Sequence, residues 1–271
     1  MNAAAAAISD ATVVAKRNLI KIKRVPDLLV FTTLSPIMFV LLFAFVFGGA
    51  IDPSGGGAGY REFLIAGIFA QTVVFGATFT GVGLAEDVKK GIIDRFRSLP
   101  MAPSAVLVGR TLSDVLYNVI TLVVMSLTGL IVGWSINTSV LEALWGFVLL
   151  LIFAYAISWL MALIGMIVPS PEVVNNASFI VIFPLTFVAN TFVPLDTLPG
   201  PLRTFAEWNP VSAVTQAARE LFGNPDPNPL AVPSTAWPLQ HPQLYTLIWA
   251  AAVVLVFAPL ATARYRRAAS R

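Results

Sequence analysis

Cysteine is absent from the 271 residues, and histidine occurs once, as His241. Without thiols the chain has no disulfide and no thiolate metal site. Charge is also scarce, with Asp, Glu, Lys and Arg making up 11% of the residues where a soluble domain carries about a quarter. Neither a G-x-x-x-x-G-K-[ST] phosphate loop nor an H-E-x-x-H zinc motif occurs, which excludes a nucleotide-hydrolysing engine and a zinc protease of that type in this chain. Ser170 and Ser178 have no base beside them, and His241 lies in a proline-rich stretch, so no nucleophile–base constellation emerges.

What the chain has in excess is apolar surface. The hydrophobic set reaches 57%, with 19 Phe, and the mean hydropathy is +0.82. A helix rises about 1.5 Å per residue, so roughly 20 uncharged residues cross the hydrocarbon core of a bilayer. Six runs are long enough: Leu28–Gly48, Phe63–Ala85, Thr111–Trp134, Ala143–Val168, Val173–Val193 and Leu244–Ala263. The expected fold is an all-α integral membrane protein of six transmembrane helices. A soluble protein would need amphipathic elements to enclose these runs, and none remain.

The basic residues alternate with the runs. Five precede the first (Lys16, Arg17, Lys21, Lys23, Arg24), five lie between the second and third (Lys89, Lys90, Arg95, Arg97, Arg110), and four follow the sixth (Arg264, Arg266, Arg267, Arg271). Arg61, Arg203 and Arg219 fall in the other connections. The positive-inside tendency therefore sets both termini in the cytoplasm, in a multi-pass arrangement. The net charge of +3 is explained by this asymmetry, with membrane lipid and no nucleic acid as its counterpart. The short uncharged alanine run at the start does not read as a signal peptide.

Residues 1–27 form the expected leader. On a helical wheel Ala11, Val14, Ala15, Asn18, Leu19, Ile22 and Val25 share one arc and the five basic residues the other, while Val13 and Ile20 break the pattern. Such a segment is an amphipathic interfacial helix or a basic leader that only sets orientation. Pro26 separates it from the first run.

The connection Glu86–Arg110 is the most informative. In a helical reading Val88, Ile92, Phe96 and Leu99 make a narrow apolar edge, and Lys90 and Asp94 can pair at i, i+4. Pro100 and Pro103 exclude a continuous helix through Met101. A short helix with a dry edge, tied at both ends to membrane helices, suits docking to a cytoplasmic partner; a helix lying on the bilayer is the alternative.

Here the chain resembles a known family. Glu86, Gly91, Ile93, Asp94, Arg95, Leu99, Pro100, Gly109 and Arg110 are similar to the cytoplasmic stretch of type-2 ABC exporter permeases, especially the daunorubicin-resistance branch; Ile92 stands where many members have Thr. The resemblance implies that this stretch is a coupling helix touching a separate cytoplasmic ATPase. On that reading Glu86, Asp87, Gly91, Ile92, Asp94, Arg95, Phe96, Pro100 and Arg110 make the contact, and the leader is the connecting helix. It further implies two ATPase copies, a second copy of this permease or a related one, and a prokaryotic plasma membrane. No cofactor is expected in this chain, with ATP and magnesium residing on the partner.

Within the runs, Asp114 lies one turn beyond Arg110 and is expected to pair with it at i, i+4, a role in substrate movement being the other reading. Pro36, Pro184 and Pro259 interrupt three runs. Gly67, Gly76, Gly81 and Gly83 permit close helix contacts in the second. Asn175, Asn176, Thr186 and Asn190, with Phe183 and Phe187, are candidates to face a translocation path in the fifth run. Trp134 and Trp159 are expected at membrane interfaces and Trp249 against a neighbouring helix.

The segment 194–243 is 50 residues long and holds ten prolines. Asn209 reads as an N-cap with Pro210 at the first helical position, Val211, Val214, Ala218, Leu221 and Phe222 as an apolar face, and Gly223 as the stop. A shorter helix is expected over Pro201–Trp208, and a rigid irregular loop after Gly223. Pro194, Leu198, Pro199, Leu202, Asn209 and Pro210 again resemble the exporter permeases, whose short outer-leaflet helices lie here, although Ala189-Asn190 replaces the usual Ser-Gly. Residues 28–268 are thus expected to form a six-span type-2 ABC transporter domain. Its expected function is to move a hydrophobic drug, lipid, glycolipid or polysaccharide outward. A membrane anchor for an ATPase and an ion-driven carrier are the alternatives; the latter calls for acidic residues in mid-membrane.

Overall fold

The computed structural model describes residues 12–17, 20, 26–47, 58–97, 103–168, 170–224 and 234–267, which are helical or connect helices, with no strand among them. Helix α1, Pro26–Leu41, continues as six π-helical residues, Leu42–Phe47. Then follow α2 (Ala58–Gly76), α3 (Thr78–Lys89), α4 (Ile92–Arg97), α5 (Pro103–Val132), α6 (Val140–Ile167) and α7 (Pro171–Phe187). A 3-10 turn, Leu195–Thr197, leads to α8 (Gly200–Trp208), α9 (Pro210–Phe222), α10 (Trp237–Gln240) and α11 (Pro242–Arg267).

Among the described residues four stretches are long and apolar enough to cross a membrane: Gly59–Lys89, Ala105–Val132, Val140–Ile167 and Pro242–Arg266; Thr33–Val46 and Pro171–Phe187 are apolar but shorter. They are not equivalent. The apolar window of Gly59–Lys89 is 83% buried inside the chain, against 22% for Pro242–Arg266. Gly59–Lys89 is therefore the centre of the bundle, and α11 lies at its edge, packed along α6 and presenting Leu255, Val256 and Leu260 outward. Small residues let α3 and α6 meet: a Cβ on Gly165 would collide with the backbone of Gly81.

The central stretch is interrupted. Ala77 separates α2 from α3, Thr80 N–H bonds back three residues to the Ala77 carbonyl, and the Thr78 hydroxyl donates to the Phe75 carbonyl at 2.7 Å. Such a break inside a membrane-length helix requires neighbours to satisfy the freed carbonyls.

Several boundaries differ from those expected. Helix α5 starts at Pro103 rather than near Thr111, since proline is suited to a helix's first position. It ends before Gly133, at φ +100, and Trp134 turns into the core against Phe69 and Phe222, donating its indole N–H to Asn224 Oδ1 at 2.7 Å. Trp134 and Trp159 are both buried within the chain, so neither ring is presented on its outer surface. Trp249 packs on Phe153 with ring centroids 5.0 Å apart. Helix α7 stops at Phe187 instead of reaching Val193, because the Asn209 amide donates to the carbonyls of Leu185 at 2.7 Å and Val188 at 2.9 Å, replacing the next intrahelical donors.

Asn209 also caps α9 as expected, its side-chain oxygen accepting from Val211 N–H at 2.9 Å, and Gly223 stops it at φ +70. Val211, Val214, Ala218, Leu221 and Phe222 are all buried, and so is Arg219 on the same helix. The expected loop after Gly223 falls on residues 225–233, outside the described residues.

Candidate functional site

At the end of the bundle that carries most of the basic residues, α3 closes with Lys90 N–H on the Glu86 carbonyl. Gly91, at φ +65, then turns the chain into α4. This turn resets the helical register, so the continuous edge expected from Val88 through Ile92 to Phe96 does not form. Val88 is exposed and Ile92 is half-buried; Ile93 is the residue that enters the core, in a cluster with Leu84, Leu107, Trp159 and Tyr265. Asp94 and Arg95 are exposed on the far side of the six-residue helix. Leu99 and Pro100 lie outside the described residues.

Arg17 knits this end together. Residues 12–17 are helical, with Val14 and Ala15 buried and Val13 exposed, the distribution expected of an amphipathic leader. The Arg17 guanidinium pairs with Asp87 at 3.1 Å and lies over the Phe96 ring at 4.9 Å, joining the leader, the end of α3 and α4. A partly exposed ion pair contributes about 0.2–1 kcal/mol and such a cation–π contact about 0.5–1 kcal/mol. Lys90 reaches back to Glu86 at 3.3 Å, and Lys89 lies 3.7 Å from Glu172.

Arg110 does not close the expected pair with Asp114. Its guanidinium instead crosses to α3, donating to the Phe79 carbonyl at 2.7 Å in the space Gly83 leaves open. Phe79 lies in the first turn of α3, and a charged donor to its carbonyl is stronger than a neutral one. Asp114 is 6% exposed and its Oδ2 has no hydrogen-bond partner among the described residues.

Beside this region, between α1, α2, α3, α5 and α7, lies a cavity of about 370 Å³, within the range of small-molecule sites. One wall is aromatic: Phe179, Phe183 and Phe187 of α7 stack at centroid distances of 5.1 and 4.0 Å, and Phe75 meets Phe179 at 6.1 Å. The opposite side carries Gln71 and Thr72 of α2 and Thr121 of α5. Phe79 and Tyr117, with rings 5.6 Å apart, also line it. Asn175, Phe183 and Phe187 line the cavity, whereas Asn176 is exposed outside the lining. Thr186 donates to its own helix at the Ile182 carbonyl, and Asn190 is buried near Ser212, Gln216 and Arg219 at the opposite end. Gln71, Thr72, Tyr117 and Thr121 were not among the sequence candidates; the signal for α5 was its polar series Asp114, Tyr117, Asn118 and Thr121 at i, i+3, i+4 and i+7.

Arg219 is the other functional-looking residue that sequence reasoning missed. It is 3% exposed, lies over the Phe63 ring at 3.4 Å, and donates to the carbonyls of Phe63 at 3.0 Å, Asn190 at 2.5 Å and Thr191 at 3.3 Å. Tyr60 adds a bond to the Phe192 carbonyl at 3.0 Å. These groups fasten α9 to the start of the central stretch and to the bend after α7.

Comparison with known proteins adds two kinds of likeness. The family model for the ABC-2 type transporter matches residues 10–222. A daunorubicin resistance ABC transporter permease protein of Streptomyces coeruleorubidus is 34% identical over 250 residues, covering 92% of this chain and 83% of its own. A protein of Mycobacterium tuberculosis named as a probable doxorubicin resistance ABC transporter permease is 23% identical over 87% of this chain and 80% of its own.

Proposed function

The chain belongs to the ABC-2 type transporter family, and from that premise we propose that it is the membrane subunit of an ATP-driven exporter. In this reading residues 28–268 supply six spans, with Thr33–Val46 and Pro171–Phe187 as the two short ones. Residues 1–27 are the cytoplasmic leader, 194–243 hold the short outer-leaflet helices, and both termini are cytoplasmic. Two such permeases, identical or related, associate in a prokaryotic plasma membrane, and each meets one ATPase subunit that binds ATP and magnesium.

The observation that carries the reading is the construction of α4. It has an exposed face bearing Asp94 and Arg95, a buried anchor in Ile93, and continuity through Gly91 with α3. A push on α4 is thereby delivered to α3, and Arg110 passes it to the break after Ala77 beside the cavity. ATP-dependent closure of the partners would favour one arrangement of this linkage over another, the differential stabilisation that transport requires. The chain itself supplies no nucleotide chemistry. Among the substrate classes expected, the aromatic-walled cavity supports a flat hydrophobic drug over a polysaccharide, in keeping with the drug-resistance names of the relatives.

Reversing Asp94 and Arg95 together (Asp94→Lys, Arg95→Glu) tests this. Both are exposed, so expression and insertion should persist. Co-purification with the ATPase and substrate-stimulated hydrolysis should fall about tenfold or more, a loss of about 1.4 kcal/mol or more in coupling. Unchanged association together with unchanged stimulated hydrolysis would overturn the assignment of α4.

A further inference from the structure

We propose that Phe39 and Phe43, with Phe187 and Phe192, form a seal over one end of the cavity, and that the π-helical residues Leu42–Phe47 are the hinge that opens it by passing to an α-helical register. The inference deepens the exporter reading and rests on it for direction, the α9 end facing outward.

Phe39 and Phe187 are the cavity-lining residues furthest along α1 and α7. Beyond them the rings close the space. Phe39 lies 6.3 Å from Phe187 and 6.1 Å from Phe192, Phe43 stacks on Phe192 at 4.7 Å, and Phe187 meets Phe192 at 4.9 Å.

The two sides of this seal are held differently. Phe187 and Phe192 flank the bend after α7, whose carbonyls accept from Asn209, Arg219 and Tyr60. The Thr191 backbone also rests against Gly67, where a Cβ would collide with it. Swinging that side would unmake buried hydrogen bonds. Phe39 and Phe43 stand instead on a helix with one buried side: Thr33, Val40 and Ala44 are buried, whereas Leu34, Met38 and Leu41 are exposed. The side free to move is α1.

The π segment supplies the movement. It contains neither proline nor glycine, and its leucine and alanine favour an α-helix, so the local sequence does not call for the wider turn. Contacts hold it: Phe43 on Phe192, the buried Ala44, and Phe45 under the Arg61 guanidinium at 5.6 Å. Arg61 is itself tied to the Val132 carbonyl at 3.2 Å. Both registers keep the backbone bonded, so passage between them leaves no polar group bare in lipid.

Bonds in a π turn span one residue more than in an α turn. With the far end pinned by Arg61, loss of that extra residue turns α1 by about 100°, and each residue takes the bearing of the one before it. Leu34, Met38 and Leu41 then stand where Thr33, Ile37 and Val40 stood, so a second apolar face replaces the first. Val40 stands in place of Phe39, and the seal loses a ring.

The test uses the full chain, which has no native cysteine, in right-side-out vesicles without the ATPase. The probe is the membrane-impermeant methanethiosulfonate-ethyltrimethylammonium. Thr72→Cys reports on the cavity, and Val140→Cys on the exposed surface at the α9 end. The cavity reporter should react about tenfold or more slowly than the surface one. Phe43→Ala should raise its rate about tenfold or more, and so should deletion of Val46, which removes the extra residue and keeps the four rings. Leu42→His/Val46→His preserves chain length, and zinc, which bridges histidines at i, i+4 on one helical face, should raise the rate likewise. A cavity reporter as fast as the surface one in the otherwise unaltered chain, or no faster in Phe43→Ala, would overturn the seal. An unchanged rate in the inserted deletion or in the zinc-loaded histidine pair would overturn the hinge. Val140→Cys reacting only in inside-out vesicles would count against the exporter's orientation, and the same comparison is then read from that side.

Discussion

The central stretch Ala58–Lys89 is held at its two ends by arginines, and the two regions differ in what they leave unmet. At the end formed by α9, Arg219 satisfies three backbone carbonyls and an aromatic face, and Asn209 closes two more carbonyls. Thr191 and Thr215 keep unpartnered hydroxyls there, but the charge is fully engaged. At the basic end Arg110 satisfies one carbonyl, and a buried carboxylate one turn away has an oxygen with no donor. Evenly distributed hydrogen bonds favour one arrangement of the chain, whereas a buried charge without a donor invites a ligand or a second arrangement. The comparison places the fixed part of the molecule at α9 and the responsive part where α3, α4 and α5 meet.

The largest effect should come from breaking the fixed side. Arg219→Met removes the donors from three buried carbonyls, and thermal unfolding in detergent should report a loss of about 3 kcal/mol or more, with Arg219→Lys intermediate. A variant as stable as the wild-type chain would mean that α9 is held by its apolar face alone. On the responsive side the sign should invert. Asp114→Asn removes a charge that lacks a donor, and stability should rise by about 1 kcal/mol in the same assay; a large loss would show that the carboxylate is a structural tie and erase the contrast. The smallest effect should be that of Arg17→Ala. Loss of a partly exposed pair and one ring contact should lower stability by about 1 kcal/mol, near the low end of their combined contributions, yet weaken ATPase coupling measured as stimulated hydrolysis. Equal coupling in the variant would separate the leader from the function of α4.

Legibility followed the range of the interaction. The α9 cap, its buried face and its glycine stop were readable because each depends on residues a few positions apart. The edge Val88–Ile92–Phe96 failed for an equally local reason: Gly91 was read as a helical residue, whereas its positive φ resets the register and sends Ile93 inward. The Arg110–Asp114 pair failed for a non-local one. Spacing on one helix permits the pair, but Gly83 leaves room for Arg110 to reach the Phe79 carbonyl on another helix. Similarly, Arg219 read as one basic residue on an outer helix, since nothing nearby in sequence announces three carbonyls from α2 and the bend after α7.

Composition and hydropathy alone determined that this chain is helical and made for a membrane, because apolar runs of that length without charge can satisfy their backbone only as helices within lipid. The motif around Asp94 and the run Pro194, Leu198, Pro199, Leu202, Asn209 and Pro210 likewise resemble the family in sequence alone. Only the tertiary structure decided which helix lies at the centre, where the cavity opens, and which buried charges are met. Those outcomes depend on donors and acceptors brought together from distant positions, and a single strand of sequence carries no record of which carbonyl will lack its own donor.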